Sequence, residues 1–281
     1  MTKTIAFQGA LGAYSDLACR SVFPQDATLP CLTFDDAFGA VQDGVAELAM
    51  IPVENSVAGR VADVHHLLPQ GGLSIIGEHY QPIKHHLLAV PGAKLGDIVE
   101  AHSHVQALAQ SRDFLREKNI KAVVHTDTAG AAAEIAKLGD KTKAAIASEL
   151  AGKIYGLQSL AIDIANLRNN TTRFLILSRD AKRLEPLAGA TYITTLVFRV
   201  RSVPAALYKA LGGFATNGIN ITKLESYLVD GTFTAAQFYL DAEGHPDDTG
   251  FGHALDELNF FAHEVKLLGT YMAHGFRQAI A

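Results

Sequence analysis

The sequence predicts an α/β chain in two parts, and three observations carry that prediction. Short, nearly continuous apolar runs alternate with helical patterns across residues 1–180. A polar stretch with Pro186 and Gly189 then interrupts this texture and reads as a linker at 181–190. Residues 191–281 follow the order strand, helix, strand, strand, helix, strand, which is the split motif of ferredoxin-like folds.

In the first part, "TIAF" (4–7), "ELAMIPV" (47–53), "LSIIG" (73–77), "HHLLAV" (85–90), "KAVVHT" (121–126) and "KAAIA" (143–147) read as strands. Their near-continuous apolarity suits strands covered on both faces, as in parallel sheets. Strand–helix alternation is the pattern of α/β architectures. "HVQALAQSRDFLREK" puts Val105, Leu108 and Leu115 on one face of a helix. In the second part, "TLVFRVR" alternates Leu196, Phe198 and Val200 against Val197, Arg199 and Arg201. The next helix has Pro204 near its first position, Leu207, Ala210, Leu211 and Phe214 on its inner face, and a stop at Asn217-Gly218. Asp230-Gly231 signals a hairpin turn. Acids open the last helix in "DDTGFGHALDELNFF", and "HEVKLLGTY" closes the set as a strand.

Composition narrows the function. Hydrophobic residues make up 48% of the 281 and charged residues 19%, enough apolar material for a sizeable core. The net charge of −5 disfavours nucleic acid or an anionic membrane as a partner. The first fifteen residues lack a signal-peptide pattern, and no apolar run approaches the ~18 residues of a membrane span. Cys19 and Cys31 are the only cysteines, which fits a reducing cytoplasm and no disulfide framework. Asn-x-Thr sequons at Asn169, Asn170 and Asn220 then need another explanation than glycosylation. The paired histidines carry no zinc-type spacing, and no hydrolase G-x-S-x-G occurs.

Four polar stretches stand at the carboxyl ends of strands, where open α/β sheets bind ligands. "QGALGAYSD" offers Gly9 and Gly12, whose N–H groups could approach an anion, with Ser15 near a helix start. "IPVENSVAGRV" places Glu54, Asn55 and Ser56 after a strand. In "AHSHVQALAQ", Ser103 could cap a helix whose Gln106 and Gln110 share a face. "NNTTRFLIL" runs Asn169, Asn170, Thr171, Thr172 and Arg173 straight into an apolar strand. Each could be no more than a cap or a braced loop. Together they suggest one polar cleft lined by neutral donors, with a single arginine needing an anion.

"GALGAYSD", "PVENSVAG", "SHVQALAQ" and "NTTRF", followed by "PAALYKALGGFATNGINITKLES", resemble the prephenate dehydratase family over essentially the whole chain. The resemblance implies a two-lobed catalytic domain like type 2 periplasmic binding proteins at 1–180, then an ACT regulatory domain at 191–281. It implies a carbon–oxygen lyase that turns prephenate into phenylpyruvate, carbon dioxide and water in phenylalanine biosynthesis, without metal or organic cofactor. It also implies a cytoplasmic homodimer or homotetramer inhibited by L-phenylalanine. Thr172 matches the family's catalytic threonine, and Ser15, Glu54, Asn55, Ser56, Ser103, Gln110, Thr171, Arg173 and Phe174 fall in its substrate-binding motifs. Arg173, or the N–H groups of a helix start, would anchor the carboxylate that is retained. The effector would touch Ala205, Ala206, Leu207, Asn217, Gly218, Ile219, Asn220, Glu225 and Ser226. Ala205 stands where the family's P-G-A-L has glycine, and Tyr227-Leu228 where E-S-R-P has Arg-Pro, which bears on effector affinity. Rival readings are an arogenate dehydratase, a non-catalytic amino-acid sensor, and an RNA binder sharing βαββαβ; the last lacks an RNP1 pattern.

Overall fold

The structure, a computed structural model, describes residues 2–180, 184–187, 189–201, 203–228 and 236–279. The chain forms two compact units, one of residues 1–64 and 79–174, the other of residues 65–78 and 175–281. The second unit thus takes in a segment from the middle of the first part, which the continuous division at 181–190 does not show.

Residues 4–178 build two sheets. One begins with β1 (Thr4–Gln8), α1 (Tyr14–Val22), β2 (Ala27–Cys31), α2 (Phe34–Gln42), β3 (Leu48–Asn55), β4 (Gly59–Arg60), α3 (Ala62–Gln70) and β5 (Ser74–Pro82). The other holds β6 (His86–Ala89), β7 (Glu100–Ser103), α4 (Val105–Gln110), α5 (Arg112–Glu117), β8 (Lys121–Val124), α6 (Thr128–Leu138), β9 (Lys143–Ala147), α7 (Glu149–Tyr155) and β10 (Gln158–Ala161). The chain then returns to the first sheet as β11 (Thr171–Ser178), giving the orders β2-β1-β3-β11-β5 and β10-β6-β9-β7-β8. This is the two-lobed α/β arrangement expected of the first part.

Parallel pairing joins β1 to β2 and β3, and β7 to β8 and β9. "HHLLAV" departs from the parallel expectation: β6 pairs antiparallel with both β9 and β10. Its residues His86–Ala89 are all buried, so double coverage, not strand direction, accounts for their apolarity. The single helix expected at 104–118 is two, because the backbone of Ser111 leaves the helical range at ψ 12°. Leu108 and Leu115 are buried but Val105 is half exposed.

The second unit carries β12 (Tyr192–Val200), α8 (Ala206–Thr216), β13 (Ile221–Leu228), β14 (Ala236–Glu243), α9 (Thr249–Phe261), β15 (Ala262–Met272) and α10 (Phe276–Ala279). The strands order β13-β14-β12-β15, with β14 and β15 antiparallel to β12. Leu196, Phe198, Phe238 and Leu240 form one core with Ala210 and Phe214 of α8 and Phe251, Ala254 and Leu258 of α9. The expected βαββαβ order and inner face are present; the Asp230-Gly231 turn lies outside the described residues. Pro204 precedes the helix and does not open it: α8 starts at Ala206, after Ala205 at φ +58°. Buried Glu78 accepts two hydrogen bonds from Arg277, at 2.7 and 2.9 Å, and so ties the inserted segment to the C-terminal helix of the same unit.

Candidate active site

Within the first unit a cleft of about 500 Å³ opens between the two sheets. Ser15 of α1, Asn55 of β3, Gln106 and Gln110 of α4, and Thr172 and Phe174 of β11 line it. A strand alternates its side chains. Thr172 and Phe174 therefore face the cleft together, and Arg173 faces away.

That parity corrects the expected role of Arg173. The arginine is 2% exposed, and its Nη1 donates to Glu54 Oε1 at 3.0 Å. The anion it needs is a side chain of this protein, and neither partner lines the cleft. Ser103 is corrected as well: it ends β7 fully buried, its hydroxyl donating to Ile146 O at 2.5 Å. His104 holds the cap position of α4, its Nδ1 accepting from Gln106 N. Ser56 braces the loop, donating to Asn169 O at 2.9 Å and accepting from Thr171 N at 3.0 Å. It thus explains the polar run as a clamp, at Thr171 through backbone alone.

The glycine-rich turn does not wait for an anion. Gly9 N donates to Cys31 O at 2.9 Å, and Gly12 N to Asp16 Oδ2 at 2.8 Å. Asp16 is fully buried in the first turn of α1, so this helix start is already occupied by the chain's own carboxylate. Gly12 serves a close approach. At φ +87°, a Cβ there would lie 2.7 Å from Ala151 Cα, and Ser148 Oγ donates to Gly12 O at 2.5 Å.

A chain of amides runs along the wall of the cleft, its middle member Asn170 buried behind the lining. Asn55 Oδ1 accepts from two backbone N–H groups, Val57 at 3.0 Å and Ala58 at 2.8 Å. Its Nδ2 donates to Asn170 Oδ1 at 2.6 Å and to Thr172 Oγ1 at 2.9 Å. Asn170 Nδ2 donates to Gln110 Oε1 at 2.9 Å, and His85 Nε2 lies 2.8 Å from the same oxygen. His85 Nδ1 is 2.8 Å from Tyr14 Oη, whose hydroxyl also reaches Lys84 O at 2.7 Å. Burial lowers the basicity of His85, against smaller opposing effects of the Gln110 hydrogen bond and Asp163. Burial likewise pushes the Tyr14 phenol well above its usual range.

Thr172 Oγ1 therefore accepts, and its own O–H has no acceptor among the described residues. Arg60 on β4 is the one arginine or lysine lining the cleft among them. Three participants were not among the expected site residues. Tyr14 and Arg60 stand inside the stretches "QGALGAYSD" and "IPVENSVAGRV" and His85 opens "HHLLAV", but nothing in the sequence singles them out as site residues. Asn170 was visible only as part of the polar run. No group of three or more metal-ligating side chains occurs among the described residues, and no described helix is long and apolar enough to cross a membrane.

Fold and cleft together define a two-lobed α/β chain with a cleft lined chiefly by uncharged polar and apolar side chains. A family model described as Prephenate dehydratase matches residues 5–182. The bifunctional N-acyl-homoserine lactone acylase/prephenate dehydratase of Komagataeibacter europaeus is 50% identical, over 98% of both chains. Arogenate dehydratase/prephenate dehydratase 1 of Arabidopsis thaliana is 40% identical, over 95% of this chain and 71% of its own. The crystal structure of an Arthrobacter aurescens prephenate dehydratase in complex with L-Phe superposes with a TM-score of 0.87 at 33% identity, over 96% of this chain and 90% of that one. The chain belongs to the prephenate dehydratase family.

Proposed function

We propose that the chain turns prephenate into phenylpyruvate, carbon dioxide and water, with Thr172 as the donor to the departing hydroxyl. The observation that carries this reading is the direction of one hydrogen bond. Because Asn55 donates to Thr172 Oγ1, the threonine's own proton is left for a ligand in the cleft.

Prephenate carries two carboxylates and a ring hydroxyl. One carboxylate leaves as carbon dioxide while the hydroxyl leaves from the opposite ring carbon, and aromatisation drives the step. The protein has only to assist the leaving oxygen and hold the rest still. The threonine hydroxyl passes its proton to the leaving oxygen as the C–O bond breaks, since its pKa is too high for release beforehand, and takes a proton back from solvent as water departs. A cation on the departing carboxylate would stabilise the ground state more than the charge-dispersed transition state. A neutral donor such as the Gln110 amide avoids that penalty, while both Asn55 N–H groups are spent on Asn170 and Thr172. Arg60 takes the anchoring of the retained carboxylate, the role Arg173 is placed away from.

The catalytic part is proposed to span 1–180 and the regulatory ACT part 191–281. The expected effector residues fall on both ends of α8 and on β13. Eleven helical residues separate those ends by about 16 Å, too far for one phenylalanine in one chain. This supports effector sites shared between copies, and so a homodimer or homotetramer. The free thiols Cys19 and Cys31 support a cytoplasmic setting.

A second activity, N-acyl-homoserine lactone hydrolysis, is carried by the Komagataeibacter relative's name and by a neighbouring cavity of about 550 Å³. That cavity is lined by Val57, Ala109, Ala165 and Leu167 together with Arg112, Asp113 and Asn166, and shares Ala58, Gln106 and Gln110 with the cleft. One assay tests both readings: the purified chain with prephenate, arogenate or an acyl-homoserine lactone, products followed by chromatography. Phenylpyruvate from prephenate at the highest kcat/KM is expected. Preference for arogenate would move the assignment to that dehydratase, and no turnover of either would refute it.

A further inference from the structure

We propose that His85, held as the Nε2–H tautomer, is a positioning residue that makes Gln110 present its amine to a substrate carboxylate. The proposal rests on the reading of the cleft as the prephenate site.

Two backbone groups set the polarity of the amide row. A peptide N–H can only donate, so Val57 and Ala58 fix the oxygen end of the Asn55 amide. Its nitrogen must then face Asn170, and the 2.6 Å contact makes that atom of Asn170 its oxygen. The nitrogen of Asn170 faces Gln110, so the Gln110 atom at 2.9 Å is an oxygen. That oxygen also lies 2.8 Å from His85 Nε2, and an oxygen there requires a proton on Nε2. The orientation of every amide in the row, and the tautomer at its end, follow from two main-chain protons.

Gln110 Oε1 is consequently held by two donors. Its Nε2 amine has no acceptor among the described residues, and Gln110 lines the cleft. The amide thus offers two neutral N–H donors to an anion. Without the imidazole proton, one of the two forces holding this orientation disappears. A rotated Gln110 would turn a carbonyl oxygen toward the carboxylate, which repels it. His85 is 2% exposed and burial disfavours its charged form; with the single proton of the neutral ring on Nε2, Nδ1 accepts from the Tyr14 hydroxyl at 2.8 Å, a proton for which Lys84 O at 2.7 Å competes.

The tautomer is read directly by nitrogen-15 NMR of the imidazole in the wild-type chain, independently of turnover. Nε2–H is expected, and Nδ1–H would overturn the proposal. Wild-type turnover of prephenate, measured separately, decides the underlying reading of the site. In kinetics, His85→Leu is expected to raise KM for prephenate about 10–100-fold, the share of a hydrogen bond to a charged group, with kcat within about threefold. His85→Gln places an amide N–H near the Nε2 position and should stay within about threefold of wild type, as restored uniform binding requires. In a Gln110→Ala background, His85→Leu should cost nothing further. Equal losses in the leucine and glutamine variants, or additive losses with Gln110→Ala, would contradict the proposal.

Discussion

Arg173 shows how charge and strand parity divide the work of one short run. Thr172 and Phe174 face the cleft, while the guanidinium between them is buried against Glu54. Removing one member of a buried pair strands the other. Arg173→Met is therefore expected to lower unfolding stability by about 3 kcal/mol, the low end of the buried-pair range because Glu54 is a third exposed. Urea denaturation checks this; an unchanged midpoint would mean the pair contributes nothing. The period of two was legible in "TTRF", but it does not say which face is the cleft, and a lone arginine near polar residues reads first as a ligand anchor. The polarity of the amide row was not legible. It depends on Val57 and Ala58 N–H groups meeting Asn55, and on Asn55 meeting Asn170, which stands 115 residues away.

At the level of elements, local chemistry was most readable where backbone demands are strict. Gly218 at φ +68° ends α8, with Ile219 N bonded to Phe214 O at 2.8 Å, as Asn217-Gly218 foretold. The same helix begins on Ala205 at φ +58°, at the position where the family's motif has glycine. A non-glycine residue in this region costs about 1–2 kcal/mol. Ala205→Gly should accordingly stabilise the chain by up to about 1 kcal/mol, since glycine's extra freedom in the unfolded chain offsets part of the gain. A lower melting temperature in that variant would show that Ala205 does not hold this conformation. Strand direction was the least readable property. β6 is fully buried whichever way its neighbours run, and apolarity reports burial alone. The weak pattern of β2, with Pro30 and exposed positions, reflects its place at a sheet edge.

For the whole molecule, the alternation of strands and helices and the βαββαβ order were legible because each buries a periodic face. The inclusion of residues 65–78 in the second unit was not. It depends on contacts such as His65 against Tyr239, with ring centroids 5.1 Å apart, and Arg277 on Glu78. Regulation belongs to this scale. Phenylalanine titrated into the full chain is expected to give binding heat and to slow prephenate turnover, with sedimentation showing at least a dimer. Binding without inhibition would mean equal affinity for active and inactive states.

Turnover at this cleft is expected to depend on the proton of Thr172. The most direct test is steady-state kinetics of Thr172→Ala beside Thr172→Ser with prephenate. The kcat of the alanine variant is expected to fall about 10²–10⁴-fold, the usual share of a proton donor in the transition state, with KM little changed and serine recovering most of the loss. Near-wild-type turnover by the alanine variant would contradict that dependence.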